Sequence, residues 1–395
     1  MIYAFTSAAL NYLPKARLCL GSLRRFHPEF RLVYALADRL PEGLRLDEDC
    51  VDEVIAVEDL PEIGTPGWIF QHSIVELSTG IKGAVLQRLL ARPDCEGVLY
   101  FDPDMVLFSR LDDLVERMLA SDIVLTPHQA KPEASLKRIV DNEIGSLKWG
   151  IFNLGFLGVR NSGEGRAFAD WWAHRLAHFC FDRLEQGLFT DQKWINHVPV
   201  FFDGVSILRE PRFNVATWNV TTRAVTGTAP DAVLVDGKPL GFYHFTGFDS
   251  GAHGIMAERN AAGNETLQAL IEWYRQAIAI AEGDHLAKLP WVFGAYADGT
   301  AIEPGHRRIY GMRTNLQRAF PDPFAIGGGS ATVDGCGSFA AWVAKRGAAE
   351  YPELCGGVRD REAALKSELQ RLKEELQALK RSLSWRITKP LRTIS

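Results

Sequence analysis

Short apolar runs alternate with amphipathic stretches along the N-terminal part of the chain. The runs at residues 2–6, 30–37 and 51–57 predict strands. Residues 14–26 and 72–91 carry apolar side chains at the spacing of one helix face. Strands that alternate with helices are typical of a mostly parallel sheet with helices on both of its faces. We therefore expect an α/β fold in which ligands bind beyond the carboxyl ends of the strands.

The same pattern continues through the middle of the chain. Residues 123–126 predict a strand, and a polar connection is expected from residue 127 to residue 149. Residues 152–159 form a strand-like run with two glycines, which permit close approach of a ligand or another backbone. Residues 166–181 and 267–281 predict helices, and the second of these is followed, up to residue 345, mainly by a connection rich in glycine and proline.

The apolar run that begins at Val98 contains Asp102-Pro103-Asp104, two carboxylates separated by one proline. Strand side chains alternate between faces, so both carboxylates project the same way if the extended form persists, and proline stiffens the turn. Two such carboxylates repel each other unless a cation lies between them. Hard oxygen ligands suit Mg²⁺ or Mn²⁺, which usually share their coordination shell with substrate phosphates. We therefore expect a divalent metal that binds a diphosphate.

Two other interpretations of these residues stay open. Asp and Pro are common in exposed turns that follow a core strand. The pattern Asp102-x-Asp104-x-Val106 also resembles the nucleophile loop of haloacid-dehalogenase-type phosphatases, in which Asp102 would attack phosphorus.

Composition narrows the function classes. The 395 residues are 47% hydrophobic and 24% charged, which suits one large globular domain or two smaller ones. A formal net charge of −5 argues against a general nucleic-acid binder. The six cysteines contain no Cys-x-x-Cys pair and predict neither a zinc site nor a disulfide framework. Without a signal-like start or a long apolar segment, we expect a cytoplasmic protein.

The C-terminal residues have a different character. Leucines recur there at alternating steps of four and three, which predicts a coiled-coil helix over residues 361–383 and a homodimer through it. Residues 384–395 form a basic, partly apolar tail. The cations of residues 380–395 suit an anionic membrane surface, so we expect peripheral contact with the inner face of the cytoplasmic membrane.

Six motifs occur in one order along the chain: ELSTGIK (76–82), YFDPD (100–104), FNLGF (152–156), GLFTDQKWI (187–195), FNVATWN (213–219) and YHFTGF (243–248). Together they resemble bacterial glycosyltransferases of the GT-A fold that belong to surface-polysaccharide gene sets and are related to glycosyltransferase family eight. The resemblance extends over about residues 1–330. It implies a GT-A catalytic domain at residues 1–255, a C-terminal extension packed on it at residues 256–345, and then the heptad helix and tail.

The resemblance also implies a reaction. A hexosyltransferase of this kind moves a sugar from a nucleotide-diphosphate sugar, here with a UDP-sugar as the first choice of donor. The acceptor would be a bacterial surface glycan or a lipid-linked acceptor, and the anomeric configuration would be retained.

Site roles follow from the same resemblance. Asp102, Asp104 and His244 would hold Mn²⁺ or Mg²⁺, and the backbone of Gly247 would approach the phosphate. Lys82 would contact the diphosphate or the sugar hydroxyls. Taken alone, His244 could be a satisfied core histidine, and Lys82 could lie on a solvated helix face.

Further residues are expected around the donor. Thr6, Ser7 and Asp38 match the positions that cradle the nucleotide, and Asp38 is suited to accept from the N3–H of uracil. Asn153, Asp191 and Gln192 resemble the residues that surround the transferred sugar, with Gln192 near the anomeric carbon. Asp191 is also an N-cap candidate for the residues that follow it, and it would be the base if the reaction inverted the anomeric centre.

The chain departs from the family at its last motif, because Phe248-Asp249-Ser250-Gly251 stands where family eight continues to Lys-Pro-Trp. The lysine that would touch phosphate is absent, so another cation must replace it or the metal must carry more of the charge. Two rival functions are a phosphatase that uses Asp102 and a non-catalytic scaffold for glycan assembly. A metal-dependent nucleotide preference would separate the three.

Overall fold

The computed structural model of the protein describes residues 1–43, 46, 51–281, 283, 285–327, 333–355 and 371. Two compact units divide the chain, Met1–Ala295 and Tyr296–Ser395. The predicted heptad helix at residues 361–383 lies outside the described residues except for Arg371, and the basic tail lies outside them entirely. The predicted domain boundary after residue 255 falls inside a helix of the first unit, Ala252–Ala261.

The strands of the first unit include all those predicted from apolar runs. In chain order they are β1 (Ile2–Ala8), β2 (Arg31–Leu36), β3 (Glu53–Ala56), β4 (Gly97–Phe101), β5 (Met105–Leu107), β6 (Ile123–Pro127), β7 (Phe152–Arg160), β8 (Asp182–Arg183), β9 (Leu188–Phe189), β10 (Val205–Ile207), β11 (Val225–Thr228), β12 (Ala232–Val235), β13 (Lys238–Pro239) and β14 (Phe242–His244). The run around residues 98–108 is divided into β4 and β5 by the Asp-Pro-Asp turn, because proline cannot donate to a strand ladder.

The helices of the first unit pack around these strands. They are α1 (Leu13–Phe26), α2 (Pro66–Phe70), α3 (Ile74–Gly80), α4 (Lys82–Leu90), α5 (Asp112–Ala120), α6 (Leu136–Arg138), α7 (Ile144–Trp149), α8 (Gly163–Phe179), α9 (Val198–Phe201), α10 (Ala252–Ala261) and α11 (Glu265–Ala281). The predicted helix at residues 72–91 is α3 followed by α4. It begins at Ile74 because Ser73 and Glu76 form a capping box there.

A seven-stranded sheet organises the first unit, in the strand order β10-β6-β7-β4-β1-β2-β3. All neighbours in it are parallel except β7, which runs antiparallel to β4 and to β6. The expected α/β fold with a mostly parallel sheet is therefore confirmed. Every residue of β1 is buried, as is usual for a parallel strand covered on both faces. Because β7 is reversed, its first residues lie at the same edge as the carboxyl ends of β1, β2 and β4.

A short antiparallel pair, β5 with β14, stands beside this edge. Its register places His244 opposite Met105, the residue that follows Asp104. Phe101, Phe156 and Phe242 pack together under the pair, with ring centroids 5.3–5.4 Å apart. This aromatic cluster gives the Asp-Pro-Asp turn an apolar, well-packed support.

The connection expected at residues 127–149 contains a helical stretch. It consists of α6, a π-helical turn at Ile139–Glu143 and α7. The polar residues that suggested a connection alternate with apolar ones at helical spacing, and Ser135 caps the first N–H groups. The prediction of an irregular connection was therefore wrong for residues 136–149.

Among its described residues the second unit contains short helices, the longest of which is α12 (Pro304–Met312). Tyr310 on this helix packs against Phe339, with ring centroids 5.1 Å apart. Arg313 forms an ion pair with Glu350 at 2.9 Å. Considering only the described part of both units, we find no helix that combines the length and the apolar character needed to cross a bilayer.

Candidate active site

The Asp-Pro-Asp turn and His244 lie together at the carboxyl end of β4. The pairing of β14 with β5 brings the imidazole to the turn. His244 Nε2 is 3.1 Å from Asp104 Oδ1 and 3.7 Å from Asp102 Oδ2. One ligand atom from each residue lies within 4.8 Å of the other two. The fold therefore brings the three predicted metal ligands into one cluster.

Asn153, at the start of β7, determines which ring nitrogen of His244 carries a proton. Asn153 Oδ1 accepts from Asn214 Nδ2 at 3.0 Å and from the Gly155 N–H at 3.3 Å, so it also accepts from His244 Nδ1 at 3.1 Å. An imidazole that donates from Nδ1 keeps the Nε2 lone pair for another partner. That Nε2 is buried, makes no hydrogen bond and faces two carboxylates. These donors fit a hard divalent cation shared among them.

The pKa shifts of the cluster also indicate that it attracts a cation. Burial alone would lower the pKa of His244, but the carboxylates of Asp104 and Asp102 raise it above its usual value. Burial would raise the pKa of Asp104, yet the charges of His244 and Lys15 hold it below its usual value. The cluster therefore attracts a cation, which can be a proton on His244 or a metal ion.

A second cluster, His27 with Glu29 and Asp112, differs in its hydrogen bonds. Leu111 N–H donates to His27 Nε2 at 2.8 Å, and Glu29 Oε1 lies 2.8 Å from His27 Nδ1. Both ring nitrogens are therefore engaged within the protein. This imidazole caps the start of α5 and offers no lone pair to a metal.

Lys82, the first residue of α4, is a buried cation. Its amine donates to Asp191 Oδ2 at 2.8 Å and to Asp102 Oδ1 at 3.1 Å, and it lies 4.2 Å from the centre of the Tyr100 ring. Burial by itself would lower the pKa of this amine, but the two carboxylates raise it. Only 3% of the Lys82 side chain is exposed, so the solvated-face interpretation does not describe this lysine. Lys82 connects the proposed metal cluster to Asp191.

Asp191 and Gln192 follow β9, and their side chains are held by named partners. Burial raises the pKa of Asp191 above its usual value despite the nearby Lys82 amine. Its carboxylate accepts from Lys82 and from the Thr190 hydroxyl at 3.0 Å, so the structure gives it no role as a helix cap. Gln192 accepts from the Leu154 N–H and donates to the Trp149 carbonyl, both at 3.0 Å. Each side chain is thus oriented before any ligand arrives.

Tyr100 is a site residue to which the sequence assigned no role. Its hydroxyl donates to Asp102 Oδ1, the same oxygen that Lys82 contacts. Burial raises the pKa of this phenol, so it stays a hydrogen-bond donor at neutral pH. A tyrosine two residues before Asp102 projects on the same strand face, and this period-two relation was the available signal.

The predicted nucleotide residues lie at the carboxyl ends of β1 and β2. Ser7 donates to the Ser78 carbonyl at 2.6 Å, and the Thr6 hydroxyl is buried without a hydrogen-bond partner. Asp38 is 2% exposed and accepts from backbone N–H groups of three residues, at 3.0–3.4 Å. Burial raises the pKa of Asp38 despite these bonds. Its carboxylate is therefore largely engaged by Leu10, Arg39 and Val292.

Two pockets open onto the cluster and share Val75, Thr79, Lys82 and Asp102 in their walls. The smaller one, about 190 Å³, extends to Ser7. The larger one, about 700 Å³, is also lined by site residues and by the 136–149 helical stretch. Every predicted site residue except Thr6 and Asp38 lines one of them. In the larger pocket the predicted residues are Lys82, Asp102, Asn153, Asp191, Gln192, His244 and Gly247.

Two glycines have a steric role at this site. Gly247 has a positive φ of 70°, a conformation that side chains rarely adopt. A Cβ atom on Gly155 would lie 2.5 Å from His244 Cε1 and 2.5 Å from the Met105 methyl. The close approach that the glycine-punctuated β7 suggested is therefore an approach of the His244 ring.

A hydrogen-bonded group formed by Tyr12, Lys15 and Asp249 was not predicted from the sequence. Asp249, in the segment that departs from the family pattern, accepts from the Tyr12 hydroxyl at 2.6 Å and forms an ion pair with Lys15. The Lys15 side chain is 7% exposed, and its charge reaches Asp104. Lys15 thus places a second buried amine beside the metal cluster.

No protein-family model matches the chain. Two curated proteins of Bacillus subtilis (strain 168), both described as uncharacterized, are similar to part of it. YfnF is 26% identical over 176 residues and YfnD is 28% identical over 171 residues. Each match covers 42% of this chain, and 55% of YfnF or 52% of YfnD. The chain therefore spans about half the length of the curated relatives it matches.

Similar solved structures carry the names of glycosyltransferases. The galactosyltransferase LgtC, in complex with donor and acceptor sugar analogues, matches with a TM-score of 0.41 and 19% identity, over 71% of this chain and 96% of its own. Mouse xyloside xylosyltransferase 1 matches with a TM-score of 0.38 and 14% identity, over 63% and 99% of the two chains. GlyE of Streptococcus pneumoniae TIGR4 matches with a TM-score of 0.35 and 14% identity, over 70% and 64%.

Proposed function

We propose that this protein is a metal-dependent glycosyltransferase of the GT-A fold. It would move a sugar from a nucleotide-diphosphate sugar, with a UDP-sugar as the first choice, to a bacterial surface glycan or a lipid-linked acceptor. The observation that carries this proposal is the position of His244 Nε2, which is buried without a hydrogen-bond partner and faces Asp102 and Asp104 beside the two pockets. A buried lone pair directed at two carboxylates is costly without a cation between them.

In this proposal Asp102, Asp104 and His244 hold Mn²⁺ or Mg²⁺. Such an ion, when bound, offsets the negative charge that develops on a departing diphosphate. Asn153 supports it from behind by keeping the proton of His244 on Nδ1. Tyr100 and Lys82 both donate to the same oxygen of Asp102, which leaves its other oxygen directed at the cluster.

Lys82, Asp191 and Gln192 would act on the sugar. Lys82 carries a positive charge where the sugar–phosphate bond would break, and Asp191 is poised to accept from a sugar hydroxyl. The Gln192 side-chain amide uses one N–H and one oxygen lone pair in hydrogen bonds to the backbone. Its second N–H would therefore be able to donate near the anomeric carbon. Preorganised donors of this kind stabilise charge without reorganising during the reaction.

Retention of configuration is part of the proposal. The leaving phosphate would assist the incoming hydroxyl, so no strong base is needed from the protein. Asp191 is the base of the inverting alternative, but its two oxygens already accept from the Lys82 amine and the Thr190 hydroxyl. Ser7, Thr6 and Asp38 would cradle the nucleotide, and the N–H of Gly247 would approach a phosphate.

We further propose that Lys15 replaces the family lysine that is absent after residue 248. Its amine is bound to Asp249 on that same segment, close enough to lower the pKa of Asp104. A diphosphate at the cluster would compete with the Asp249 carboxylate for this amine.

Lys15→Met is expected to weaken UDP binding about tenfold in the presence of Mn²⁺, because one charge-assisted contact to phosphate is lost. Isothermal titration of UDP measures this. Lys15 and Lys288 line a third pocket together with Asp249, and Lys288 is exposed, so Lys288→Met is the matched control and should bind as the parent does. Equal UDP affinities for Lys15→Met and the parent would contradict the assignment.

Gly155→Ala is expected to weaken Mn²⁺ binding by about ten- to a hundredfold, because the added methyl group pushes the His244 ring from its position. Titration of Mn²⁺ followed by electron paramagnetic resonance measures the change. Gly158→Ala is the control on the same strand, where the nearest atom to a Cβ is Leu99 Cδ2 at 3.3 Å. If both variants bind Mn²⁺ equally, the steric account of Gly155 is wrong.

A thermal-shift screen of UDP, GDP, ADP, CDP and dTDP sugars, with and without Mn²⁺, tests the proposed function. A ligand of the native state raises the melting temperature by mass action. We expect one nucleotide class to do so only with the metal. No shift with any donor would favour the scaffold, and a phospho-aspartate at Asp102 would favour the phosphatase.

The remaining expectations stay proposals as well. Residues 361–383 would form a homodimer through their heptads, and residues 380–395 would contact the membrane. Together they describe a cytoplasmic enzyme held at the inner membrane surface.

A further inference from the structure

A row of exposed aliphatic side chains runs along the helical stretch that follows β6. Leu136 is 82% exposed and Leu147 is 68% exposed, and the others are about half exposed or more. Four of them follow one another at steps of four, four and three residues along the helical stretch, and the fifth comes just after its end. We call this row the apolar ridge, and its members are Leu136, Val140, Ile144, Leu147 and Ile151. A contiguous exposed aliphatic row of this length marks an interaction surface.

The exposed charges of residues 131–151 all have one sign. Lys131, Lys137 and Lys148 are exposed, whereas none of the acids between residues 131 and 151 is. Cations that flank an aliphatic row complement an anionic surface with an apolar interior.

The acids of this segment are directed inward instead. Glu133 is buried and accepts from Asn142 Nδ2 at 2.6 Å. Glu143 accepts from the backbone N–H of Glu133, and Asp141 pairs with Arg259 at 3.5 Å. The segment therefore presents aliphatic groups and lysines outward, while its carboxylates bond within the segment and to Arg259 and Thr221 of the same unit.

The other side of the same helical stretch faces the larger pocket. Five of its residues line that pocket: Asp141, Asn142, Gly145, Ser146 and Trp149. A surface that touches the ridge would thus lie one helix diameter from the cleft.

We propose that the apolar ridge docks on an anionic lipid membrane. Its aliphatic side chains enter the interface, and its three lysines contact acidic headgroups. This goes beyond transfer of a sugar, because it assigns a membrane contact to the catalytic unit itself, separate from the basic tail. It also places the larger pocket about one helix diameter from the layer in which a lipid-linked acceptor resides.

The test is sedimentation of the full chain with vesicles of phosphatidylglycerol and phosphatidylcholine. The variant Leu136→Gln/Val140→Gln/Leu147→Gln is expected to bind at least about tenfold more weakly than the parent, since buried aliphatic area is lost. The matched control is Val200→Gln/Ile280→Gln, at two exposed aliphatic positions away from the ridge, and it should bind as the parent does. Replacing the three lysines with glutamine should weaken binding about fivefold per charge and reduce its salt dependence.

Two further measurements distinguish binding through the ridge from binding through the basic tail, and membrane docking from dimerisation. When residues 380–395 are deleted from both proteins, the ridge variant should still bind the vesicles more weakly than the protein with an intact ridge. Light scattering should give the ridge variant and the parent the same mass. The ridge variant should also keep the parent's thermal shift with UDP and Mn²⁺. An unchanged mass and an unchanged thermal shift would show that weaker vesicle binding comes neither from misfolding nor from damage to the donor site.

Several outcomes would overturn the proposal. They are equal sedimentation of the ridge variant and the parent, no vesicle binding by the parent, equal binding to vesicles of phosphatidylcholine alone, and loss of the ridge effect when the tail is removed. A smaller mass for the ridge variant would instead assign the ridge to an interface between two copies of the chain.

Discussion

His244→Ala, Asp102→Asn and Asp104→Asn are each expected to weaken Mn²⁺ binding by at least about a hundredfold and to abolish metal-dependent binding of UDP. His244→Ala removes one of three ligand atoms that lie within 4.8 Å of one another, and each asparagine variant replaces a carboxylate of the cluster with a neutral amide. The two asparagine variants keep the shape of the turn, and His244→Ala leaves a small cavity above the Phe101, Phe156 and Phe242 cluster. Mn²⁺ titration, followed by UDP titration at saturating Mn²⁺, measures both effects.

Asp112→Asn is the matched control, because it alters a carboxylate of the second cluster, in which both nitrogens of His27 are engaged. It should leave Mn²⁺ and UDP binding unchanged. Parent-like UDP affinity in the presence of EDTA would contradict the metal site, as would parent-like Mn²⁺ affinity in His244→Ala.

Lys82→Met is expected to lower turnover by about a hundred- to a thousandfold and the free energy of unfolding by about 3–5 kcal/mol. Turnover falls because the variant lacks the positive charge beside the breaking bond. Stability falls because Asp191 and the contacting oxygen of Asp102 lose a buried partner. Donor turnover at saturating Mn²⁺ and urea unfolding measure the two effects separately.

The double variant Lys82→Met/Asp191→Asn distinguishes these causes. It removes one of the two carboxylates that the single variant leaves unpaired, so part of the lost stability should return while turnover stays low. Arg88 lies on the same helix, and its guanidinium group is more exposed than the Lys82 amine. Arg88→Met is therefore a control that should change neither turnover nor the free energy of unfolding. Parent-like turnover in Lys82→Met would show that this amine has no part in the transfer.

Local patterns were enough for much of the fold. The runs that became β1, β2, β6 and β7 could be predicted because strand and helix periods depend on neighbouring residues alone. The prediction was wrong over residues 136–149, where apolar residues that face solvent lie among polar ones that face the cleft. A helix whose faces are reversed in this way does not produce the usual pattern of a core-facing helix.

The candidate site was predictable in its residue types and less so in its contacts. Asp102 and Asp104 were evident from the Asp-Pro-Asp turn, since a carboxylate pair after a strand is a local feature. Tyr100 could have been added from its period-two relation to Asp102. Lys15 and Asp249 could not, because they are 234 residues apart and meet only in the folded chain.

The sequence by itself determined the alternation of strands and helices, the carboxylate pair and the set of residues that resemble a sugar-transfer site. Only the tertiary structure decided how they act on one another. The pairing of β5 with β14 brings His244 to Asp104, and the packing of α4 against the loop after β9 buries Lys82 between two carboxylates. The physical reason is that charge coupling and lone-pair direction depend on distances of a few ångströms between segments about a hundred residues apart, which no local pattern encodes.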